Sequence, residues 1–206
     1  MESNYSEKEQ LESIKKWWQD TGKYIAIAVI VGLLLGFGWR YWHTIERHRA
    51  ENASAIYQSV LVAASQNNNA TVQGGAALLM KDFSSSPYAG LAGLLSAKTF
   101  ITENKLPAAL TQLQWVIQHS NETRLQEIAR ISAARVLLAQ NQAKAALVEL
   151  KTINDKAFLP LVYWVRGDSY TQLNNKKAAS DAYLQAKNAL TSVPSAEALL
   201  QKQLAQ

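Results

Sequence analysis

Cysteine is absent from this chain of 206 residues. That excludes a disulfide scaffold, cysteine-ligated zinc and thiol chemistry. It leaves the redox compartment open, because a cysteine-free chain is tolerated in reducing and oxidising spaces alike. Proline is scarce, at four residues, and no long segment alternates strictly between apolar and polar side chains. Extended β-structure therefore has little support, whereas the abundance of alanine, leucine and glutamine favours an all-α chain. Recognisable catalytic signatures are missing too. His43, His48 and His119 have no second metal-type ligand at a useful spacing, and there is no HExxH, phosphate-binding glycine loop or nucleophile elbow. Asp168 and Asp181 read as solvated surface acids, Gly74-Gly75 as a turn, and "SSSP" at 84–87 as a loop leading into a helix. The expectation is a protein that is not an enzyme and takes no cofactor, metal or small-molecule substrate.

Strong charge of one sign is also lacking. The net charge is +5, and the residues before Tyr24 nearly balance Lys8, Lys15, Lys16 and Lys23 against Glu2, Glu7, Glu9, Glu12 and Asp20. The excess is spread over the later residues without a basic stripe, so nucleic acid is not the expected partner.

What the chain does have is one long apolar run, "KYIAIAVIVGLLLGFGWRYW", at 23–42. Sixteen uncharged residues separate Lys23 from Arg40. As a helix they span about 24 Å, and Tyr24, Trp39, Tyr41 and Trp42 extend the run with rings that prefer a membrane interface. A buried core helix would show a polar stripe, which is missing here. A cleavable signal would have a short basic start and a small-x-small site; Gly36-Phe37-Gly38 imitates the site, but an acid-rich segment of about two dozen residues precedes it. The run reads as a retained transmembrane helix. Gly32 and Gly36, extended by Gly38, form a small-xxx-small pattern suited to close contact with another membrane helix. Before it, Ser6-x-x-Glu9 resembles a capping box, and Leu11, Ile14, Trp17 and Trp18 share the face of a short amphipathic helix. The basic residues flanking the run are too evenly divided to set its orientation.

Beyond the run the chain repeats itself. Ala97, Phe100, Ala109, Leu113 and Val116 recur at the same offsets as Ala134, Leu137, Ala146, Leu150 and Ile153, and again as Gly167, Tyr170, Ala179, Tyr183 and Ala186. The small residue precedes the alanine by twelve positions each time, and the copies lie thirty-seven and then thirty-three residues apart. These offsets describe a helical hairpin: the small residue lets two helices approach, and positions i, i+4 and i+7 line one face of the second. Breakers fall between the halves at 103–107, 140–142 and 174–177. Residues 50–83 read as a degenerate leading hairpin interrupted by "SQNNNATVQGG", and 195–205 as a closing helix over the last apolar face.

The repeats resemble the tetratricopeptide repeat, best in "VYWVRGDSYTQLNNKKAASDAYLQAK", where Tyr163, Gly167, Tyr170, Ala179, Tyr183 and Ala186 match its signature. Arg166 takes the usual leucine position, and the terminal proline is displaced to Pro194. The expected fold class is all-α: one N-terminal transmembrane helix followed by a tetratricopeptide-repeat-like α-solenoid, with segments 1–22, 23–42 and 43–206. The resemblance implies a concave groove lined by Leu91, Leu94, Lys98, Ile101, Ile128, Ile131, Arg135, Leu138, Leu161, Trp164 and Asp168. The row is mostly aliphatic and lacks the Lys/Asn clamp used on carboxylate tails, which favours an apolar or extended polypeptide as ligand.

"IKKWW", "GFGWRYW", "AALTQLQ", "ARVLLAQNQAKAALVELKTI" and "RGDSYTQLNNKKAASDAYLQA" are similar, over essentially the whole chain, to the YfgM family of ancillary SecYEG translocon subunits. That resemblance implies a bacterial inner-membrane protein with a cytoplasmic N-terminus and a periplasmic repeat domain. It also implies association with SecYEG and with the membrane-anchored chaperone PpiD, contact with emerging secreted polypeptides, and a link to the stress regulator RcsB. Two alternatives accompany this reading: a membrane-bound regulator sequestering RcsB through "LESIKKWW", and a generic envelope assembly scaffold.

Overall fold

Asn67, Asn104, Asn141 and Asn174 hold left-handed backbones, with φ of 56°, 57°, 60° and 58°. The first three are thirty-seven residues apart and the last follows after thirty-three. Asparagine tolerates this region better than other side-chain-bearing residues, and one such residue just past a helix stops it. The N–H of each asparagine bonds the carbonyl three residues back at 2.9–3.1 Å, and the next N–H bonds the carbonyl five back at 2.8–2.9 Å. The chain thus turns four times by one hydrogen-bonded device.

The computed structural model describes the backbone of residues 3–192; within it, the side chains of residues 3–10, 13, 19–21, 23, 25–29, 37–38, 41–43, 45–46 and 191–192 lie outside the described set. Among the described residues every regular element is a helix: α1 Ser3–Ser65, α2 Asn69–Asp82, α3 Pro87–Thr102, α4 Leu106–His119, α5 Thr123–Ala139, α6 Ala143–Glu149 with a 3-10 turn over Leu150–Thr152, α7 Leu159–Gln172 and α8 Lys176–Ser192. Two compact units divide the chain, Met1–Ala50 and Glu51–Gln206.

In the second unit the end of α1 pairs with α2, and α3, α5 and α7 pair with α4, α6 and α8. The small residues of the sequence repeat are at the helix contacts: Ala97, Ala109, Ala134 and Ala146 are fully buried. Ala97 shares a core cluster with Leu113, and Ala134 shares one with Leu150. In the last hairpin the pair becomes Gly167 and Tyr183, and a Cβ on Gly167 would overlap the phenol ring. The smaller the residue on the first helix, the larger its partner on the second.

The leading hairpin reverses those sizes. Val60 is buried on the first helix, and it fits because Gly75 has no Cβ to meet it. Gly74-Gly75 is therefore not the turn expected from sequence. Both glycines lie inside α2, and the turn is confined to Gln66–Asn68. The expected loop at 84–87 is present, with Ser86 Oγ accepting from the Tyr88 N–H at 3.3 Å and Pro87 opening α3.

The first unit is the N-terminal part of α1, which carries the expected amphipathic segment and the apolar run without a break. Leu11, Ile14, Trp17 and Trp18 are exposed, as are Ile30, Val31, Leu33, Leu34 and Leu35. Among the described residues no helix is long and apolar enough to cross a membrane. The anchor expected at 23–42 draws on residues 25–29 and 37–38, whose side chains are outside the described set. Ser6 and Glu9 both lie inside α1, which opens at Ser3, and their side chains are outside the described set; the closing helix at 195–205 and Pro194 fall outside the described residues.

Candidate functional site

The eleven groove positions expected from sequence all fall on α3, α5 and α7, but they do not share one environment. Ile131 is buried in a cluster with Ala134, Leu150, Val162 and Val165, and Leu138 and Leu161 pack against that cluster. Leu94 packs against the cluster that its own hairpin shares with α5, and Leu91 is half-buried. These residues join one hairpin to the next; Ile131 lies in the core, not on a surface open to a ligand. Lys98, Ile101, Ile128, Arg135 and Trp164 remain exposed.

The split follows from position in the repeat. Tyr57, Leu94, Ile131 and Trp164 each precede the tight helix contact by three residues. At Leu94 and Ile131 the following hairpin supplies the cover. At Trp164 no described helix follows α8, and the indole is 39% exposed. It rests edge-on against Tyr183, with ring centroids 5.8 Å apart.

Asp168 is not the solvated acid expected from sequence. It is half-buried and accepts a 2.7 Å hydrogen bond from the Tyr183 hydroxyl, while Thr171 Oγ1 stands 3.3 Å from the same oxygen. Burial pushes the Tyr183 phenol above its ordinary pKa; the Thr171 contact opposes this and the Asp168 carboxylate reinforces it. Tyr183 thus ties Trp164 and Asp168 together in the last described hairpin.

Gly32 and Gly36 have nothing within 4 Å of where a Cβ would stand, so that stripe is unoccupied among the described residues. Gly38 lies outside the described side chains. His119 is spent on the end of its own helix, where Nδ1 lies 3.0 Å from the Trp115 carbonyl oxygen and the two rings stack 4.7 Å apart.

Sequence reasoning missed the polar ties between hairpins. Glu103 accepts from Asn69 Nδ2 at 2.8 Å and from Gln73 Nε2 at 3.2 Å, joining the first hairpin to the second. Lys105 sits 2.9 Å from the same carboxylate; its hydrogen bond, then those from Asn69 and Gln73, hold Glu103 below the ordinary glutamate pKa. Gln172 Nε2 donates to the Leu138 carbonyl at 3.1 Å and to Asn141 Oδ1 at 3.2 Å. Glu127 is buried, and its Oε1 accepts from the Asn154 and Asp155 N–H groups at 3.2 and 3.4 Å, fixing the loop before α7. No local signal marks these pairs, whose partners lie 27 to 34 residues apart.

Stacked hairpins with an exposed side-chain row, and no cluster of metal-binding side chains among the described residues, define an α-helical repeat protein of the solenoid class. A family model described as "Tetratricopeptide repeat-like domain" matches residues 15–206. The chain is 30% identical over 183 residues to the ancillary SecYEG translocon subunit of Escherichia coli (strain K12), covering 89% of this chain and 88% of the relative. It is 27% identical to the protein of that name from Haemophilus influenzae, over 91% of each chain. It is 26% identical to the one from Neisseria gonorrhoeae, over 99% of this chain and 98% of the relative. The chain belongs to this tetratricopeptide-repeat-like family, with the ancillary SecYEG translocon subunits among its relatives.

Proposed function

We propose that this chain is a membrane-anchored, non-catalytic ancillary subunit of the SecYEG translocon that binds polypeptide through its helical array. The observation that carries the reading is the length of the match. Relatives named for the translocon align with about nine-tenths of the chain, so the apolar run and the array both lie within the shared sequence. In this reading residues 23–42 cross the bacterial inner membrane, the first residues are cytoplasmic, and the array faces the periplasm. Leu33, Leu34 and Leu35 support the anchor: they are consecutive and exposed, so they point apolar surface in three directions about 100° apart, which suits lipid and not water.

The array would receive the chaperone PpiD or emerging secreted chains on Ile101, Ile128 and Trp164, with Lys98 and Arg135 at their margin. An anchor beside the channel raises the local concentration of such partners, so modest affinity suffices. Replacing Ile101 and Trp164 together by alanine is expected to weaken capture of PpiD about tenfold or more, because a partly exposed tryptophan is the residue type most often found as an interface anchor. Unchanged capture by a variant with native circular dichroism contradicts the reading.

The exposed stripe of Leu11, Ile14, Trp17 and Trp18 favours a second role, sequestration of the regulator RcsB on the cytoplasmic side. Deleting residues 1–20 is expected to release stress signalling while translocon association persists. Loss of both together would remove the second role.

A further inference from the structure

We propose that the hollow between α6 and α7 is a separate docking site for a short acidic polypeptide segment bearing an apolar side chain beside its carboxylates. Lys144, Leu147, Val148 and Lys151 line one wall, and Arg166 and Tyr170 the other, around a volume of about 480 Å³. The first four follow helical i, i+3, i+4, i+7 spacing and share a face; the last two are one turn apart on α7. The lining thus sets aliphatic and cationic side chains side by side.

Its two lysines are unpaired. The nearby acids are engaged elsewhere: Glu149 pairs with Arg130 at 3.0 Å, and Asp155 with Arg124 at 3.5 Å. No acidic side chain lines the hollow, and among the described residues neither Lys144 nor Lys151 has an ion-pair partner. Arg166 is held ready, donating from Nη2 to the Leu150 carbonyl at 3.1 Å with its guanidinium 5.7 Å from the Tyr163 ring centroid. Val148 is 59% exposed at the same place. Three like charges around an aliphatic patch repel one another until a carboxylate arrives, and the patch stays wet until an apolar group covers it.

Hairpin geometry alone does not create this combination. One hairpin earlier, the matching α4 positions are Pro107, Leu110, Thr111 and Gln114, and the hollow there is lined by Asn104, Gln140 and Gln142 without a cation. In α8 the matching positions are Lys177, Ser180, Asp181 and Leu184. A small anion in so open a hollow would leave most of itself in water, whereas a polypeptide segment can meet the cations and the aliphatic patch together. On α7, Arg166 and Tyr170 lie about half a turn from Trp164 and Asp168, so this surface is distinct from the row on the first helices and does not depend on it.

The test is a fluorescence-anisotropy titration of the full-length, detergent-solubilised protein with a labelled nine-residue peptide alternating Glu and Leu, beside versions with Gln or Lys in place of Glu. The Glu peptide is expected to bind at least tenfold more tightly than the other two. Its affinity should fall about tenfold in Lys144→Gln/Lys151→Gln and severalfold in Arg166→Gln, and remain unchanged in Trp164→Ala. The lysine pair is exposed, so circular dichroism and melting temperature should stay those of the wild type. Equal binding of the Gln peptide, wild-type affinity in the lysine double variant, or loss of binding in Trp164→Ala overturns the site. So does binding of phosphatidylglycerol nanodiscs that requires the same lysines while the peptide fails to bind, which would assign the surface to lipid.

Discussion

Gly167 has no Cβ because the Tyr183 ring occupies the space one would need. The two preceding hairpins fill the same contact with alanine against leucine. Gly167→Ala is therefore expected to destabilise the array by about 1–3 kcal/mol through overpacking, even though alanine is the better helix former. Adding Tyr183→Leu should restore most of that loss, and urea unfolding of the single and double variants measures both. Asn104 makes a different demand, on the backbone. Asn104→Ala should cost about 1 kcal/mol for a left-handed alanine, while Asn104→Gly stays within a few tenths. Glu103 supplies a pH dependence. Its folded pKa lies below the ordinary value because Lys105, Asn69 and Gln73 bond the carboxylate. The group thus contributes stability at neutral pH that is lost as pH falls from the ordinary glutamate pKa through the depressed folded one. The stability gap between wild type and Glu103→Gln should be widest near pH 7 and shrink as pH falls below the ordinary glutamate pKa. A gap that widens in acid contradicts the assignment.

At the scale of the helices, the hairpins were legible because their contacts use residue size, which sequence spacing records. Ala97, Ala109, Ala134 and Ala146 are where the offsets placed them, fully buried. The leading hairpin was harder to read because its large and small residues exchange sides: Val60 replaces the alanine, and the glycine that admits it, Gly75, resembles a turn. The asparagine series at 67, 104, 141 and 174 shows the fourth repeat directly, yet an asparagine between helices does not by itself declare a left-handed backbone. The resemblance to the repeat placed Leu94 and Ile131 in a groove row, but whether a position in that row is open depends on the next hairpin, which covers both. Trp164 holds the same repeat position in the last described hairpin and is 39% exposed. The Glu103, Glu127 and Gln172 ties were not legible, because each joins residues that only stacking brings together.

For the whole molecule, the helical array and its family are established, and the role at the translocon is the reading they support best. A greasy N-terminal segment and a polypeptide-binding array make physical sense together only if the first fixes the second where unfolded chains or their chaperones are found. Carbonate washing of membranes should leave the intact protein in the pellet, and protease added to spheroplasts should digest the array while sparing the N-terminal segment. The most direct measurement is site-specific photocrosslinking in intact membranes from Ile101, on the exposed row, compared with Leu79, which is fully buried. The account predicts adducts from Ile101 with a translocon component, its associated chaperone or an exported chain, and none from Leu79. Adducts from Ile101 only with cytoplasmic proteins, or none with any of those partners, would contradict it.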